Sequence, residues 1–213
     1  MRIYSVADLH GRKEYLSRLH ERARSSAPDV IVIAGDIIGN ADPASLLVPL
    51  DALNMPVIAV RGNADPRDLE KIAGSYQNIW LLEGNRVNLK GISFVGIGGA
   101  VVWPFRSKIA WRERMATENL LHLVTADSVV VAHPPPRGAH DLVLGFFHSG
   151  SQGVAEIIDR CQPMLCLCGH IHERPGFSRM GKTTVVNASM GKRGAGALID
   201  IGESGRVDVT MLS

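Results

Sequence analysis

Apolar positions recur along this chain in two periods, and several apolar runs stop at a polar residue of similar kind. Residues 1–7, 30–34, 57–60, 128–132 and 165–168 are aliphatic or β-branched at nearly every position. Such runs read as strands buried on both faces. Helical spacing takes over between them. Tyr15, Leu16, Leu19 and Ala23 share one face of a helix over about residues 12–24, entered through a turn at Gly11. Asp42-Pro43 reads as N-cap and first helical residue of a helix to about residue 53, which Asn54-Met55-Pro56 breaks. Asp65-Pro66 repeats the cap signal before a short helix to about residue 73. Residues 152–161 form an amphipathic helix on Val154, Ile157, Ile158 and Cys161, with Ser149 or Ser151 as its cap. A helix of weaker periodicity is expected over about residues 108–123.

Residues 74–98 change character. The segments 78–82, 86–89 and 92–96, split by Gly and Asn, predict β-hairpins at a sheet edge. The last third predicts strands at 183–186, 195–201 and 206–211, with a hairpin turn at 202–205. Units of βαβ followed by hairpins predict an α/β protein of two packed sheets with helices outside. The 213 residues suit one domain spanning 1–213.

Composition narrows the function classes. No apolar run is long enough to span a membrane, and the apolar run after Arg2 is broken by Asp8, so no signal peptide is expected. A net charge of +2 without a basic run argues against a nucleic-acid partner. Three cysteines, Cys161, Cys166 and Cys168, are too few and too odd for a disulfide framework and point to a reducing cytoplasm. Cys166 and Cys168 share one face of a strand, where core packing is the favoured reading.

The chemistry lies at the strand ends. The runs end in Asp8-Leu9-His10, Gly35-Asp36, Gly62-Asn63, His133 and Gly169-His170-Ile171-His172. Open α/β sheets place their ligands at such tips. Asp8, His10, Asp36, Asn63, His133, His170 and His172 mix carboxylate, imidazole and amide. That mixture suits Mn, with Fe, Zn or Ni as alternatives, better than Ca or Mg. Seven groups exceed what one ion uses, so two divalent ions bridged by Asp36 are expected. Such a pair generates a hydroxide from bound water near neutral pH and neutralises a phosphate in its transition state. Hydrolysis of a phosphate ester is the reaction that fits.

Taken together and in this order, the five motifs resemble the calcineurin-like metallophosphoesterase family over about residues 3–190. His133-Pro134-Pro135-Pro136, Gly150-Ser151 and the stretch 167–173 look most like its small Icc-related branch. The resemblance implies a four-layer α/β/β/α sandwich of two mixed sheets. It implies that Asp8, His10, Asp36 and His172 hold one ion, and Asp36, Asn63, His133 and His170 the other. It also implies phosphodiesters, such as cyclic nucleotides or small nucleotide-type esters, as substrates. The chain departs from the family at Ala64, where many members carry a His that handles the leaving-group proton.

Other residues carry weaker signals. His148 is a candidate replacement acid. Arg61, with Asn63, is a candidate phosphate contact, and so is Arg137, though salt bridging competes for both arginines. Asp65 reads as a helix cap. Trp103, Phe105 and Trp111 read as core or lid packing, with nucleobase stacking as the alternative. His20, His122 and His140 have no site context. A small phosphoester is the expected partner, and a homo-oligomer is allowed. The competing functions are a metal-binding interaction scaffold with little catalysis and a nuclease of the same fold.

Overall fold

The computed structural model describes residues 1–98, 117–145, 147–191 and 194–213. The unbroken apolar runs form the centres of two sheets. In the first, β1 (Arg2–Val6), β2 (Val30–Ala34) and β3 (Val57–Val60) run parallel, with Ile3 opposite Val30 and Ile31 opposite Val57. The helices α1 (Lys13–Ser26) and α2 (Pro43–Asp51) connect them. The short helix α3 (Leu69–Ala73) leads to β4 (Ile79–Leu82), parallel to β3 at the sheet edge. On the other side of β1 lie β13 (Ala197–Ile201) and β14 (Val207–Met211), both antiparallel to their neighbours.

Among the described residues each sheet has six strands. The centre of the second is β6 (Ile92–Ile97), β7 (Ser128–Ala132), β10 (Leu165–Cys168) and β12 (Thr183–Asn187), all parallel. Antiparallel strands β5 (Arg86–Leu89) and β11 (Gly176–Met180) close its edges. A small hairpin, β8 (Leu142–Val143) with β9 (Phe147–His148), precedes helix α4 (Gln152–Cys161).

Strand parity sorts the core into three apolar layers, because successive side chains point to opposite faces. Ile3, Val30, Val32, Ile58 and Val60 meet Phe94, Val129, Val131, Leu165 and Val186 between the sheets. Tyr4, Val6, Ile31, Ile33 and Val57 face Tyr15, Leu19, Leu46 and Leu69 of the three helices. Val130, Ala132, Cys166 and Cys168 face Val154, Ile157 and Ile158 of α4. Two mixed sheets flanked by helices are thus the α/β/β/α arrangement, and the cysteine pair is core. Each fully buried aliphatic side chain contributes about 1.5–3 kcal/mol, so the central strands form a stiff support for their tips.

Three local expectations change. The segment 78–82 is not half of a hairpin: β4 belongs to the first sheet, and the chain crosses to the second at Glu83-Gly84-Asn85 before the β5–β6 hairpin. Gly84 N–H donates to Gly96 O and Gly96 N–H to Asn85 O, which fixes that corner. The helix expected from Asp65 starts only at Leu69, with Asp68 in the cap position. The helix expected to residue 53 ends at Asp51, with Pro49 inside its last turn. Of the helix expected over 108–123, residues 117–123 are described and 117–121 are helical; Trp103, Phe105 and Trp111 lie outside the described residues.

Candidate metal centre

The tips of β1, β2, β3, β7 and β10 meet at one end of the molecule. Backbone hydrogen bonds continue past the strands and hold them there. Asp8 N–H donates to Gly35 O (3.0 Å), His10 N–H to Asp36 O (2.8 Å) and Gly169 N–H to His133 O (2.9 Å). Ala7 N–H donates to Ala188 O (3.1 Å) and Met190 N–H to Ala7 O (2.9 Å), which ties β1 to the segment after β12 and so joins the two sheets.

Close approach at this end depends on glycine. A Cβ at Gly35 (φ +88°) would lie 2.4 Å from His133 Nδ1, and one at Gly62 would lie 2.1 Å from Asp36 Oδ1. Asp8, His10, Asp36 and His170 themselves adopt left-handed backbone, with φ of 62°, 48°, 52° and 69°. Such strain persists only where the surroundings over-determine it.

All seven side chains come together. His10 Nε2 lies 3.4 Å from His172 Nε2, and each nitrogen also faces a carboxylate: His172 is 3.3 Å from Asp8 Oδ1 and His10 is 3.8 Å from Asp36 Oδ2. His133 is fully buried. Its Nδ1 lies 2.9 Å from Ala34 O, a carbonyl that only accepts, so Nδ1 carries the proton. In the neutral ring, Nε2 then presents a lone pair. That lone pair faces Asn63 Oδ1 at 3.0 Å, Asp36 Oδ2 at 3.4 Å and His170 Nδ1 at 3.2 Å. Acceptors converging on acceptors need a cation between them. Asp8, His10 and His172 bring ligand atoms within reach of one ion, and Asp8, Asp36 and His133 do the same.

The ionisation of these groups follows from the same contacts. Burial pushes the Asp8 carboxyl up, but the His172 hydrogen bond and the facing imidazoles pull it below its ordinary value. Burial likewise raises Asp36, and His133 with the Ala64 N–H outweighs it, so the net direction is down. Burial lowers His133, yet Asp36 and Asp8 turn the net shift upward. His172 is raised by its Asp8 bond. His170 is lowered by burial and by the neighbouring His133. Both carboxylates are therefore ionised at neutral pH, and a second proton bound by His133 or His172 would lie where a metal would.

The remaining candidates are placed differently. Arg61 Nη2 pairs with Glu83 Oε1 at 3.0 Å, not with a strand-tip group. His148 Nδ1 is 3.0 Å from both oxygens of the buried Asp141, on the β8–β9 hairpin. His140 Nδ1 on Arg174 O (3.2 Å) docks the start of that hairpin segment beside the residues that follow His172. Arg137 is exposed. Ser151 caps α4, accepting from Val154 N–H at 3.0 Å.

Asp65 is no helix cap. It is buried and accepts from Ile38 N–H at 2.7 Å and Gly62 N–H at 2.9 Å. Asn187 and Ser189 were not singled out by the sequence pattern. Asn187, at the tip of β12, donates to Ile171 O (2.9 Å) and accepts from Ser189, bracing the turn that carries His170 and His172. Its signal was the same as elsewhere: an apolar strand run ending in a polar residue.

A two-sheet α/β sandwich with imidazoles, carboxylates and an amide gathered at five strand tips is the architecture of a metallophosphoesterase. The family model for calcineurin-like phosphoesterases matches residues 1–174, and the chain belongs to that family. An uncharacterised protein of Methanocaldococcus jannaschii is 29% identical over 199 residues, covering 89% of this chain and 88% of that protein. A dimetal phosphatase from Danio rerio shares the fold with a TM-score of 0.67 at 12% identity, covering 100% of this chain and 98% of that one. A novel archaeal phosphodiesterase does so with a TM-score of 0.61 at 14% identity, over 100% of both chains. At these identities the two solved structures speak to the fold alone.

Proposed function

We propose that this chain is a two-metal phosphoesterase that hydrolyses phosphate esters, with phosphodiesters favoured. The observation that carries the reading is His133 Nε2, buried and aimed at Asn63 Oδ1 and Asp36 Oδ2. Asp8, His10, Asp36 and His172 would hold one divalent ion, and Asp36, Asn63, His133 and His170 the other, with Mn the first ion to test and Fe, Zn or Ni also compatible with the mixed N and O donors. Such ions supply Lewis acidity, which neutralises phosphate charge and lowers the pKa of water.

The chain's own residues supply the rest. Asp36 Oδ2 stands between His10 and His133, and its Oδ1 is pinned by Ala64 N–H at 2.7 Å, so the carboxylate keeps one orientation. Asn63 is exposed at the rim, where its amide can meet substrate. Arg61 beside it is neutralised by Glu83, which favours a singly charged diester over a monoester dianion. His148, oriented by Asp141 through Nδ1, has Nε2 as the nitrogen that would hand a proton to the leaving oxygen. The cysteines are free, as in a reducing cytoplasm, and among the described residues no helix is long and apolar enough to cross a membrane.

The test is turnover of bis(p-nitrophenyl) phosphate and p-nitrophenyl phosphate by chelator-treated protein reloaded with Mn²⁺. We expect metal-dependent hydrolysis, faster on the diester, that Asp36→Asn abolishes while far-UV circular dichroism stays unchanged. No hydrolysis of either ester with two ions bound would leave the scaffold reading instead.

A further inference from the structure

We propose that Asp65 is a positioning residue that sets the affinity of the centre for the ion held by Asp36 and Asn63. Its carboxylate is buried and spends one oxygen on each of two loops. Oδ1 accepts from Ile38 N–H, two residues after Asp36, and Oδ2 accepts from Gly62 N–H, one residue before Asn63. The grip is reciprocal. Asp36, at the tip of β2, accepts from Ala64 N–H at 2.7 Å in the loop that carries Asp65. The carboxylate of each tip therefore holds the backbone of the other.

Hydrogen bonds to an ionised acceptor are about twice as strong as neutral ones. Two of them from one rigid side chain leave little freedom to the residues between. That rigidity is needed, because Asp36 sits at φ 52°, a conformation that relaxes unless its surroundings hold it. The contact at stake is short. Asp36 Oδ2 is 3.4 Å from His133 Nε2, and Asn63 Oδ1 is 3.0 Å from that same nitrogen. Release of the β3 tip would move Asn63, and release of the β2 tip would move Asp36. Asp8 and His172 are tied by other bonds, to Gly35 O and to each other, and Asp36 keeps its bond from Ala64 N–H, so the ion that Asp36 shares with them would be affected less than the one that also depends on Asn63. The role is a split between two sites rather than a loss of both.

The inference rests on the reading of Asp36 and Asn63 as ligands. The experiment is calorimetric titration of chelator-treated protein with Mn²⁺, comparing the unmodified chain with Asp65→Asn and Asp65→Ala, at a temperature where circular dichroism shows each folded. Asn is isosteric but offers an N–H where an acceptor is required, so one of the two bonds is lost. We expect one ion to bind as in the unmodified chain and the other about 10–100-fold more weakly, the range seen when partners of metal ligands are removed. A general structural role would lower both affinities together and overturn the proposal. Variants that bind two ions with unchanged affinities would overturn it alone. An unmodified chain that takes up no ion would overturn both this proposal and the ligand reading beneath it. If neither variant folds, amide hydrogen exchange of the unmodified chain decides. Mn²⁺ should slow Ile38 and Gly62 at least about tenfold more than the β14 amides by mass action on the bound state, and equal slowing refutes the coupling.

Discussion

Replacing Gly35 with Ala separates backbone strain from the demands of the site. Gly35 and Gly84 have similar left-handed backbone, with φ of 88° and 78°. A Cβ at Gly84 meets nothing within 4 Å, whereas one at Gly35 would sit 2.4 Å from His133 Nδ1 and 2.8 Å from its Cβ. Left-handed backbone costs an L-residue about 1–2 kcal/mol, and this applies at both positions. Only Gly35→Ala adds overpacking, about 1–3 kcal/mol in a packed interior. The His133 ring cannot retreat, because it is fully buried and bonded to Ala34 O. For a chain of this size, 1 kcal/mol shifts Tm by about 2–4 °C. Gly84→Ala should therefore lower Tm by about 2–8 °C, and Gly35→Ala by a further 2–12 °C or so. The melts are run in chelator, so that lost metal binding does not contribute, and Mn²⁺ titration follows separately. Only Gly35→Ala should weaken uptake, since only it displaces a strand-tip imidazole. Equal Tm losses, or equal Mn²⁺ affinity in both variants, would refute the claim that the glycine exists to admit His133.

Asn187→Ala removes the brace on Ile171 O and leaves buried partners unsatisfied, so stability should fall by about 1–3 kcal/mol; a melt matching the unmodified chain would remove the bracing role. His172 is raised by its Asp8 bond, and His133 is raised because Asp36 outweighs burial, so in metal-free protein these pairs contribute stability that is full below about pH 6.5 and fades as pH rises through their folded values. An ion must displace those protons, so Mn²⁺ uptake should tighten with rising pH and release protons; calorimetry in buffers of different ionisation heat reads the release, and zero release refutes it. Burial pushes the Cys166 thiol up to about 12 and raises Cys168 as well, so iodoacetamide at about pH 8 should spare both in the native protein and reach only the half-buried Cys161; mass spectrometry showing all three labelled would contradict the packing against α4.

The parts of this molecule that could be read from sequence are those where one physical demand acts alone. Strands buried on both faces must be apolar throughout, so β2, β3, β7 and β10 stood out as unbroken runs. Asp36 or His133 at the end of such a run has no packing role, which made the tips legible as a set. Asp65 was misread because Asp-Pro looks the same whether the carboxylate caps its own helix or reaches across to Ile38. Only the nearness of the β2 tip decides, and that nearness is tertiary. Glu83-Gly84-Asn85 posed the same problem. A turn signal does not say whether the chain folds back on its neighbour or crosses to another sheet. The edge strand β11 was missed because Phe177 and Arg179 both face solvent and its inner face carries little apolar surface. Arg61 and His148 were read as a candidate phosphate contact and a candidate acid, but their partners Glu83 and Asp141 could not be read from sequence spacing.

The strain at the tips connects fold to function. Asp8, His10, Asp36 and His170 all have φ between 48° and 69°, and each such residue costs on the order of 1–3 kcal/mol. Together that rivals the 5–15 kcal/mol by which a typical domain is stable. The cost is tolerated because it falls where both sheets are stiffest, and because each strained residue is held by a bond from another tip: Gly35 O to Asp8, Asp36 O to His10, Ala64 N–H to Asp36, and the Asp8 carboxylate to His170 N–H at 3.0 Å. No tip is self-sufficient. A left-handed residue turns its side chain sharply off the strand, which is how the tips of β1, β2 and β10 aim inward at shared points instead of pointing along their own axes. The arrangement that results gathers nitrogen and oxygen acceptors that only a proton or a metal ion can reconcile. Local rules of backbone and electrostatics are broken together at this one end and obeyed through the sheets behind it, the pattern expected where a site is preorganised for a cation.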